Sequence, residues 1–297
     1  MKTIIAGASG FIGQHLCSML KSIGDEIITL SREDFITGKF DFLVHKLNGA
    51  DHIFNLAGAP LNRRWTREYK KEIFNSRIQT TAKLVAAINE QPTPPSLFVS
   101  TSAIGYYPSD GAYIENAEVY TPTFLAYICR KWEKEAEQVT PQTRLVITRL
   151  APVLSTDGGI FPPLASLFRY GLGGKIGSGK QAFPWIMLTD LLRIYRFIIE
   201  HTELKGVLNC SAPDITDNAL WAKSLGQELR RPVLWTIPPY LLRAILGERS
   251  VLLTEGQHAI PYKLEKNGFT FEYTNICDAL DRLCEKKSDI TSHVLEY

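Results

Sequence analysis

Three side chains in the middle of the chain have the types and the spacing for proton transfer at a hydroxyl or carbonyl group. Tyr127 and Lys131 lie four residues apart in a segment with helical patterning, so their side chains share one helix face. An ammonium group beside a phenol favours the ionised phenol. Such a tyrosine can exchange a proton with a substrate oxygen, and the hydroxyl of Ser102 can hold the same oxygen. The trio predicts acid–base chemistry.

The same residues also have a purely structural interpretation. A tyrosine and a lysine four residues apart occur by chance in many helices, with the phenol half-buried and the ammonium group in water. Ser102 lies two residues after the end of residues 96–100, which are apolar enough to form a buried strand. Ligands bind at the carboxyl ends of such strands in α/β sheets, which favours the catalytic interpretation without excluding the other.

A glycine-rich turn near the N-terminus predicts a dinucleotide site. Residues 3–6 have the pattern of a buried strand and residues 14–20 that of an amphipathic helix. Between them, glycines permit a sharp turn, close approach of a diphosphate and tight packing of helix on strand, while free N–H groups at the helix start attract the diphosphate. The alternative is a strand–turn–helix that binds no dinucleotide. It stays open because the spacing GxxGxxG has one residue more than the common dinucleotide-binding pattern GxGxxG. The expected contact residues are Gly7, Ser9, Gly10, Phe11, Ile12 and Gly13.

The end of the second predicted strand, residues 25–30, favours NADP over NAD. An NAD site usually has an acidic residue there, which receives the ribose hydroxyls. Ser31 and Arg32 instead offer a hydroxyl and a planar guanidinium, which suit a 2′-phosphate. Glu33 and Asp34 follow directly and could receive the ribose hydroxyls of NAD. Arg32 could also be an ordinary solvent-exposed arginine, so NAD is not excluded.

Strand and helix patterns alternate up to about residue 155, which predicts an α/β fold with a doubly wound parallel sheet. One long amphipathic helix is expected over 66–89 and another over 123–138, whereas 35–49 has little pattern. Turn residues then become frequent. We expect a dinucleotide-binding domain of residues 1–155, to which 185–210 return, and a smaller C-terminal α/β substrate domain of 156–297, ending in a helix over 275–286.

The composition is ordinary for a globular protein. The 297 residues are 45% hydrophobic and 22% charged, with a net charge of +2, so no strong field favours nucleic acid or an anionic membrane. We expect neither as a partner. With no targeting or membrane-spanning segment in the sequence, a cytoplasmic location is expected. The five cysteines are scattered without a CxxC pair, which predicts reduced thiols and no metal site.

Taken together, the motifs resemble one family over nearly the whole chain. The chain resembles the extended short-chain dehydrogenases/reductases, which include sugar-nucleotide epimerases and dehydratases, and within them an epimerase-like subfamily with a small C-terminal domain of unknown function. The motifs that carry the resemblance are GASGFIG, NLAG, RRW, SRIQTTAKL, SAIGYY, KWE, RLAPVL and GLGGKIGSGKQAFPWI, with RP, LGE and EGQ late in the chain.

The resemblance implies a Rossmann-type sheet and an NADP-dependent oxidoreductase or epimerase. The substrate would be a small molecule with a hydroxyl or carbonyl group, of the nucleotide-sugar kind, and the two long helices could pair two copies in a homodimer. An NADP-binding regulatory or sensor protein with little or no turnover is the alternative. Ser102, Tyr127 and Lys131 match the family's catalytic trio. Further implied cofactor contacts are Leu56, Ala57, Glu72, Arg77, where other members usually have an asparagine, and Val153.

Overall fold

The computed structural model describes residues 1–36, 38–119, 121–214 and 216–285. The strands are β1 (Lys2–Ala6), β2 (Glu26–Leu30), β3 (His52–Asn55), β4 (Leu97–Ala103), β5 (Ala112–Tyr113), β6 (Arg144–Leu150), β7 (Val153–Leu154), β8 (Gly174–Ile176), β9 (Ile186–Met187), β10 (Gly206–Cys210), β11 (Trp235–Ile237) and β12 (His258–Ala259). The helices are α1 (Phe11–Ser22), α2 (Phe40–Leu47), α3 (Arg67–Phe74), α4 (Thr80–Asn89), α5 (Phe124–Ala136), α6 (Phe161–Arg169), α7 (Leu188–Glu200), α8 (Asn218–Glu228), α9 (Pro239–Leu246), α10 (Val251–Thr254), α11 (Tyr262–Lys266) and α12 (Ile276–Cys284).

The central sheet has the strand order β10-β6-β4-β3-β1-β2, and all of its neighbouring strands run parallel. From β1 the chain passes first to β2 on one side and then to β3 on the other. Where the strand order reverses in this way, a crevice opens beyond the carboxyl ends of the strands. The predicted α/β fold with a doubly wound parallel sheet is confirmed, and the crevice lies beyond the ends of β1 and β3.

Alternating residues of the strands build a separate core on each face of the sheet. Ile5 and Val99 belong to a core on the side of α1 and α7. Ile4 and Phe98 belong to a core on the side of α2 and α4. Side chains two residues apart in a strand point to the same face, so Ser102 points to the same side as Phe98, toward the helices of the second face.

The helix predicted over residues 66–89 is interrupted in its middle. A π-helical turn, Asn75–Gln79, separates α3 from α4. Such a turn adds a residue to the helix and is often found at functional sites. Arg77 lies at its centre. The weakly patterned segment 35–49 contains α2, which buries Leu43 and Leu47. With only two fully buried positions, it showed too little periodicity to be predicted.

The chain beyond β6 forms smaller elements, and β10 returns to the central sheet beside β6. Three two-stranded pairings form between β7 and β9, β8 and β11, and β5 and β12. A third core surrounds Trp185 and Trp221, with side chains from α6, α8 and α12. The helix expected over 275–286 is α12, and residues 286–297 of the predicted C-terminal domain lie outside the described residues. Within the described chain, no helix is long and apolar enough to cross a membrane.

Candidate cofactor and substrate site

The turn between β1 and α1 is so tight that two of its glycines leave no room for a side chain. A Cβ on Gly7 would lie 2.7 Å from the backbone of Leu56, and one on Gly13 would lie 2.3 Å from the Gly7 carbonyl oxygen. Gly7 also has a φ of +84°, in the left-handed region that favours glycine. The N–H of Gly10 donates to the Gly7 carbonyl at 3.0 Å, which closes the turn. The backbone is therefore built for close approach by another group.

The start of α1 offers its N–H groups to a ligand. Gly10 is the N-cap, no side chain caps the helix, and its first turn has no acidic residue. Unfilled N–H groups and the helix dipole together favour an anion there. Phe11 packs closely against Gly158, where a Cβ would lie 2.2 Å from its ring. Ser9 and Ile12 belong to the same turn and first helical turn, so all six expected contact residues lie together.

Leu56 and Ala57 form the wall opposite the glycine turn. The N–H of Leu56 donates to the Ala6 carbonyl at 2.8 Å, and a Cβ on Gly7 would lie 2.8 Å from the nitrogen of Ala57. Val153 is 7% exposed and belongs to the core on the α1 side. Glu72 is partly exposed on α3, and no ion pair among the described residues links it to the crevice.

Asp34, one of the two acidic residues after β2, is already occupied by protein groups. Its carboxylate accepts from the N–H of Ser31 at 2.6 Å and from the hydroxyl of Ser31 at 3.1 Å. The ammonium group of Lys46 lies 3.0 Å from both carboxylate oxygens. Burial acts to raise the pKa of Asp34, but these hydrogen bonds outweigh it and lower the pKa. Arg32 and Glu33 are exposed beside it.

Ser102, at the end of β4, is part of a buried network of polar groups. Its hydroxyl donates to Glu133 Oε1 at 2.6 Å. The guanidinium of Arg149 donates to both oxygens of Glu133, at 2.9 and 2.7 Å, and to the hydroxyl of Tyr107 at 2.7 Å. Burial alone would lower the pKa of Arg149, but the hydrogen bonds and charge of Glu133 raise it. The Ser102 proton therefore points to Glu133, and the thiol of Cys129 is a further polar neighbour of the Ser102 hydroxyl.

Tyr127 and Lys131 contact each other as expected, but not on the side of Ser102. The Lys131 ammonium group lies 6.0 Å from the centre of the Tyr127 ring. That ring is 51% exposed and stacks on Phe74 of α3, with centroids 6.4 Å apart. Glu133, which bonds Ser102, lies on a different face of α5, because two residues along a helix correspond to a rotation of about 200°. The expected arrangement of three side chains is thus not observed.

The face of α5 toward Ser102 carries Leu125, Cys129 and Glu133, each four residues from the next. Leu125 packs on Gly105, where a Cβ would lie 3.4 Å from its own Cβ. Burial, with the nearby charge of Glu133, raises the pKa of Cys129 to about 12, so its thiol stays neutral. The tyrosine–lysine spacing in the sequence does not indicate this face. The available signal was a glutamate on the buried stripe of the helix, beside Trp132.

Arg77, which the resemblance implies as a cofactor contact, packs against the backbone at Gly58. A Cβ on Gly58 would lie 3.0 Å from the guanidinium carbon of Arg77, and Gly58 directly follows Ala57. All five cysteines are free thiols. Among the described residues, no group of three or more His, Cys, Asp and Glu side chains could hold a metal ion.

Comparison with known proteins identifies the family. The model of the NAD dependent epimerase/dehydratase family matches residues 3–211, and a domain of unknown function, DUF1731, matches residues 237–283. The chain belongs to the NAD dependent epimerase/dehydratase family. The resemblance to extended short-chain dehydrogenases/reductases with a C-terminal domain of unknown function is thereby confirmed.

Relatives within this family match the chain along most of its length. An epimerase family protein of Staphylococcus haemolyticus is 33% identical over 294 residues, covering 95% of this chain and 98% of the relative. The crystal structure of human epimerase family protein SDR39U1 with NADPH is 34% identical, with a TM-score of 0.88, covering 96% of this chain and 99% of the human one. UDP-glucuronic acid 4-epimerase from Bacillus cereus with NAD, 16% identical with a TM-score of 0.74 and covering 95% and 96%, shows the shared fold.

Proposed function

We propose that this protein is an NADP-dependent oxidoreductase or epimerase acting on a hydroxyl or carbonyl group of a small molecule of the nucleotide-sugar kind. The observation that carries the proposal is the glycine turn, whose backbone cradle would be filled by any added Cβ at Gly7 or Gly13. The cradle adjoins the uncapped start of α1, which suits a diphosphate. A bound nicotinamide dinucleotide would supply or accept a hydride there. The NADPH of the human relative's structure supports this cofactor.

The groups after β2 support NADP rather than NAD. An NAD site needs a free carboxylate for the ribose hydroxyls. Asp34 is held by Ser31 and Lys46, while Arg32 stays exposed and can meet a 2′-phosphate with a fork of donors. Of the two acidic residues, only Glu33 remains accessible to a ribose.

Ser102 is the group we assign to the reacting oxygen of the substrate. Because its proton points to Glu133, Ser102 can accept a hydrogen bond from a substrate hydroxyl. An alcohol that gives up a hydride must also lose its hydroxyl proton; Ser102 would take up that proton while it passes its own to the Glu133 carboxylate, 2.6 Å away. Tyr127 and Lys131 lie on another face of α5, so the proposal does not depend on them.

The second candidate is an NADP-binding regulatory protein without turnover. The observation that favours it is the pair Leu125 and Cys129 on the face of α5 toward Ser102. An aliphatic side chain and a neutral thiol give little acid–base catalysis compared with a phenol beside an ammonium group. The two candidates share the cofactor site and differ only in chemistry.

Calorimetric titration with NADPH and NADH, followed by a screen for NADPH oxidation or NADP⁺ reduction, separates these candidates. The screen would use nucleotide sugars and their keto forms. The enzyme proposal expects tighter binding of NADPH than of NADH, and a turnover that Ser102→Ala lowers by about tenfold or more. Ser96→Ala is the matched control, since Ser96 is exposed at the opposite end of the same strand region. NADPH binding without turnover would favour the regulatory protein, and no binding would exclude both.

Three further predictions belong to this proposal. The first is the division into a dinucleotide-binding domain of residues 1–155 and a substrate domain of residues 156–297. The second is a cytoplasmic location. A homodimer through α3, α4 and α5 is supported by the exposed ring of Tyr127 on α5, which stacks on the partly buried ring of Phe74 on α3. Light scattering after gel filtration tests it, with Tyr127→Asp expected to weaken the dimer.

A further inference from the structure

The chain from residue 227 to residue 249 contains no buried residue, although many of its side chains are apolar. It includes β11 and α9, and no residue of either element is buried. Trp235 is 64% exposed, Tyr240 76% and Ile245 68%. A monomeric globular protein rarely leaves large apolar side chains exposed side by side. The segment therefore presents to the outside the kind of side chain that usually packs in a core.

Contacts join this segment to the end of α6 in one continuous surface. β11 pairs with β8, with Trp235 beside Gly174, and Leu172 lies two residues before β8 in the turn after α6. Just beyond β8, Gly177 packs on Pro239, the first residue of α9, where a Cβ on the glycine would lie 3.1 Å from the proline ring. We call this region the β8–α9 surface. Its most exposed apolar residues are Tyr170, Leu172, Leu234, Trp235, Tyr240 and Ile245.

The charged residues of this surface are basic. Residues 158–189 and 229–247, which supply α6, β8, β11 and α9, contain no aspartate or glutamate. The acids that border the second stretch are Glu228, which is exposed, and Glu248, which pairs with Lys70 of α3. None of the basic residues in the two stretches forms an ion pair among the described residues. They are Arg169, Lys175, Lys180, Arg230, Arg231 and Arg243.

This combination of apolar and basic groups fits an anionic lipid surface better than other partners. A symmetric contact with a second copy of the chain would place the same cations opposite one another, which is unfavourable. A nucleic acid supplies phosphates and flat bases, but no aliphatic phase for Leu172, Leu234 and Ile245. An anionic membrane supplies both, because its headgroups attract arginine and lysine while aromatic and aliphatic side chains enter the boundary with the acyl chains.

We propose that the β8–α9 surface binds an anionic lipid membrane, with Trp235 and Ile245 inserted among the lipids and Arg230 and Arg231 at the headgroups. The expectation of no membrane partner rested on the net charge of +2, which averages these cations with acids elsewhere in the chain. Binding of this kind leaves the chain on the membrane surface and needs no membrane-spanning helix. It does not depend on the proposed function.

Tryptophan emission gives a direct test, because Trp235 is the exposed member of the five tryptophans. The other four, Trp65, Trp132, Trp185 and Trp221, are at most 9% exposed. On addition of vesicles of phosphatidylglycerol and phosphatidylcholine in equal parts, the emission maximum should move to shorter wavelength as the indole leaves water. Trp235→Phe should abolish this shift and still float with the vesicles. No shift in the unaltered chain would overturn the proposal.

Flotation of the full chain with the same vesicles measures the binding itself. Substitution of Arg230→Gln together with Arg231→Gln should weaken binding about tenfold or more, since each basic residue near an anionic surface contributes about fivefold. Ile245→Ser should also weaken it, through loss of the apolar contact. The matched control is Arg196→Gln with Arg282→Gln, which removes two exposed arginines from surface ion pairs elsewhere and should bind like the unaltered chain. Vesicles of phosphatidylcholine alone should bind much more weakly.

Other occupants of the surface would give different results. No flotation of the unaltered chain, or equal flotation of the double arginine variant and its control, would overturn the proposal. A doubled mass in light scattering that Ile245→Ser reduces, without vesicle binding, would show a contact between two copies instead. Binding of a single-stranded oligonucleotide in place of the vesicles would assign the surface to nucleic acid.

Thermal unfolding and NADPH titration of the same variants exclude indirect effects. Each variant should unfold at the temperature of the unaltered chain, because none of the replaced side chains is buried. A lower NADPH affinity in the double arginine variant would assign Arg230 and Arg231 to the cofactor site and overturn the proposal. If the unaltered chain binds no NADPH, the proposed function fails, and flotation alone decides the membrane proposal.

Discussion

The hydroxyl of Ser102 donates to the carboxylate of Glu133 across 2.6 Å, and both side chains are almost completely buried. The bond joins the end of β4 to the face of α5 that carries Leu125 and Cys129. It orients the Ser102 proton toward Glu133, so that in the proposed function Ser102 would act as an acceptor toward the substrate. Glu133 in turn is held by Arg149, which makes the serine one end of a fixed chain of polar groups.

Loss of Glu133 should strongly destabilise the protein. Glu133→Ala would leave the buried Arg149 guanidinium without its partner, and removal of one member of a buried ion pair costs about 3–5 kcal/mol. Urea unfolding followed by fluorescence measures the free energy of unfolding. Glu200→Ala, which breaks the exposed pair with Arg196, is the control and should cost less than about 1 kcal/mol. Equal effects of the two variants would show that the buried pair contributes no more than a surface pair.

Tyr127→Phe should leave NADPH affinity and any turnover unchanged. The phenol stacks on Phe74 and lies on a different face of α5 from Glu133, so its hydroxyl is not directed at Ser102. The tyrosine–lysine spacing in the sequence predicts the opposite, a loss of turnover with retained cofactor binding. Steady-state rates of Tyr127→Phe and Ser102→Ala with the same substrate distinguish the two expectations. If Tyr127→Phe loses activity and Ser102→Ala does not, the phenol takes part in catalysis and this expectation is wrong.

The parts of the fold that could be predicted are those with local periodicity. Residues 3–6 and 97–100 are apolar runs next to turn residues, and the glycine turn is a local motif, so the parallel sheet and the cradle followed from sequence. The helix α2 has only Leu43 and Leu47 fully buried, and its short pattern was not predicted. The π-helical turn around Arg77 has no sequence signature, because it depends on packing against Gly58 and Trp132.

The candidate site was predictable only where its parts are contiguous. The turn residues and Leu56 meet as expected. The grouping of Ser102 with Tyr127 and Lys131 required knowing how α5 is rotated, and spacing alone does not fix that rotation. The buried Glu133 fixes the rotation of α5, since its carboxylate accepts hydrogen bonds from Ser102 on β4 and from Arg149 on β6. Such long-range polar contacts cannot be derived from one sequence.

Arg32→Glu should shift the cofactor preference from NADPH toward NADH. The exposed guanidinium of Arg32 can pair with a 2′-phosphate, and Asp34 is bonded by Ser31 and Lys46 rather than free to receive a ribose. We expect NADPH affinity to fall by about tenfold or more, with loss of a charge-assisted contact. Calorimetric titration with both nucleotides measures the ratio, and Arg196→Glu controls for the change in net charge. Equal ratios before and after the substitution would remove Arg32 from the cofactor site.

Glu115→Gln should weaken the pH dependence of stability on the acid side of neutral. Glu115 is 5% exposed, and burial raises the pKa of its carboxyl above the usual 4.5. A raised pKa means that the folded protein holds this proton more tightly than the unfolded chain. The contribution to stability is therefore complete below about pH 4.5 and is lost as the pH rises through the folded-state pKa.

Glutamine keeps the acceptor at Oε1, which receives the N–H groups of Asn209 and Lys263 at 3.3 and 3.1 Å. The variant should therefore fold, and its free energy of unfolding should fall less than that of the parent between about pH 4.5 and 7, because it has no proton to release. Urea unfolding at several pH values measures this slope. Glu118→Gln, at an exposed position three residues away, should reproduce the parent slope. If Glu115→Gln also keeps the parent slope, the carboxyl titrates alike in the folded and unfolded chains, and its burial has no effect on protonation.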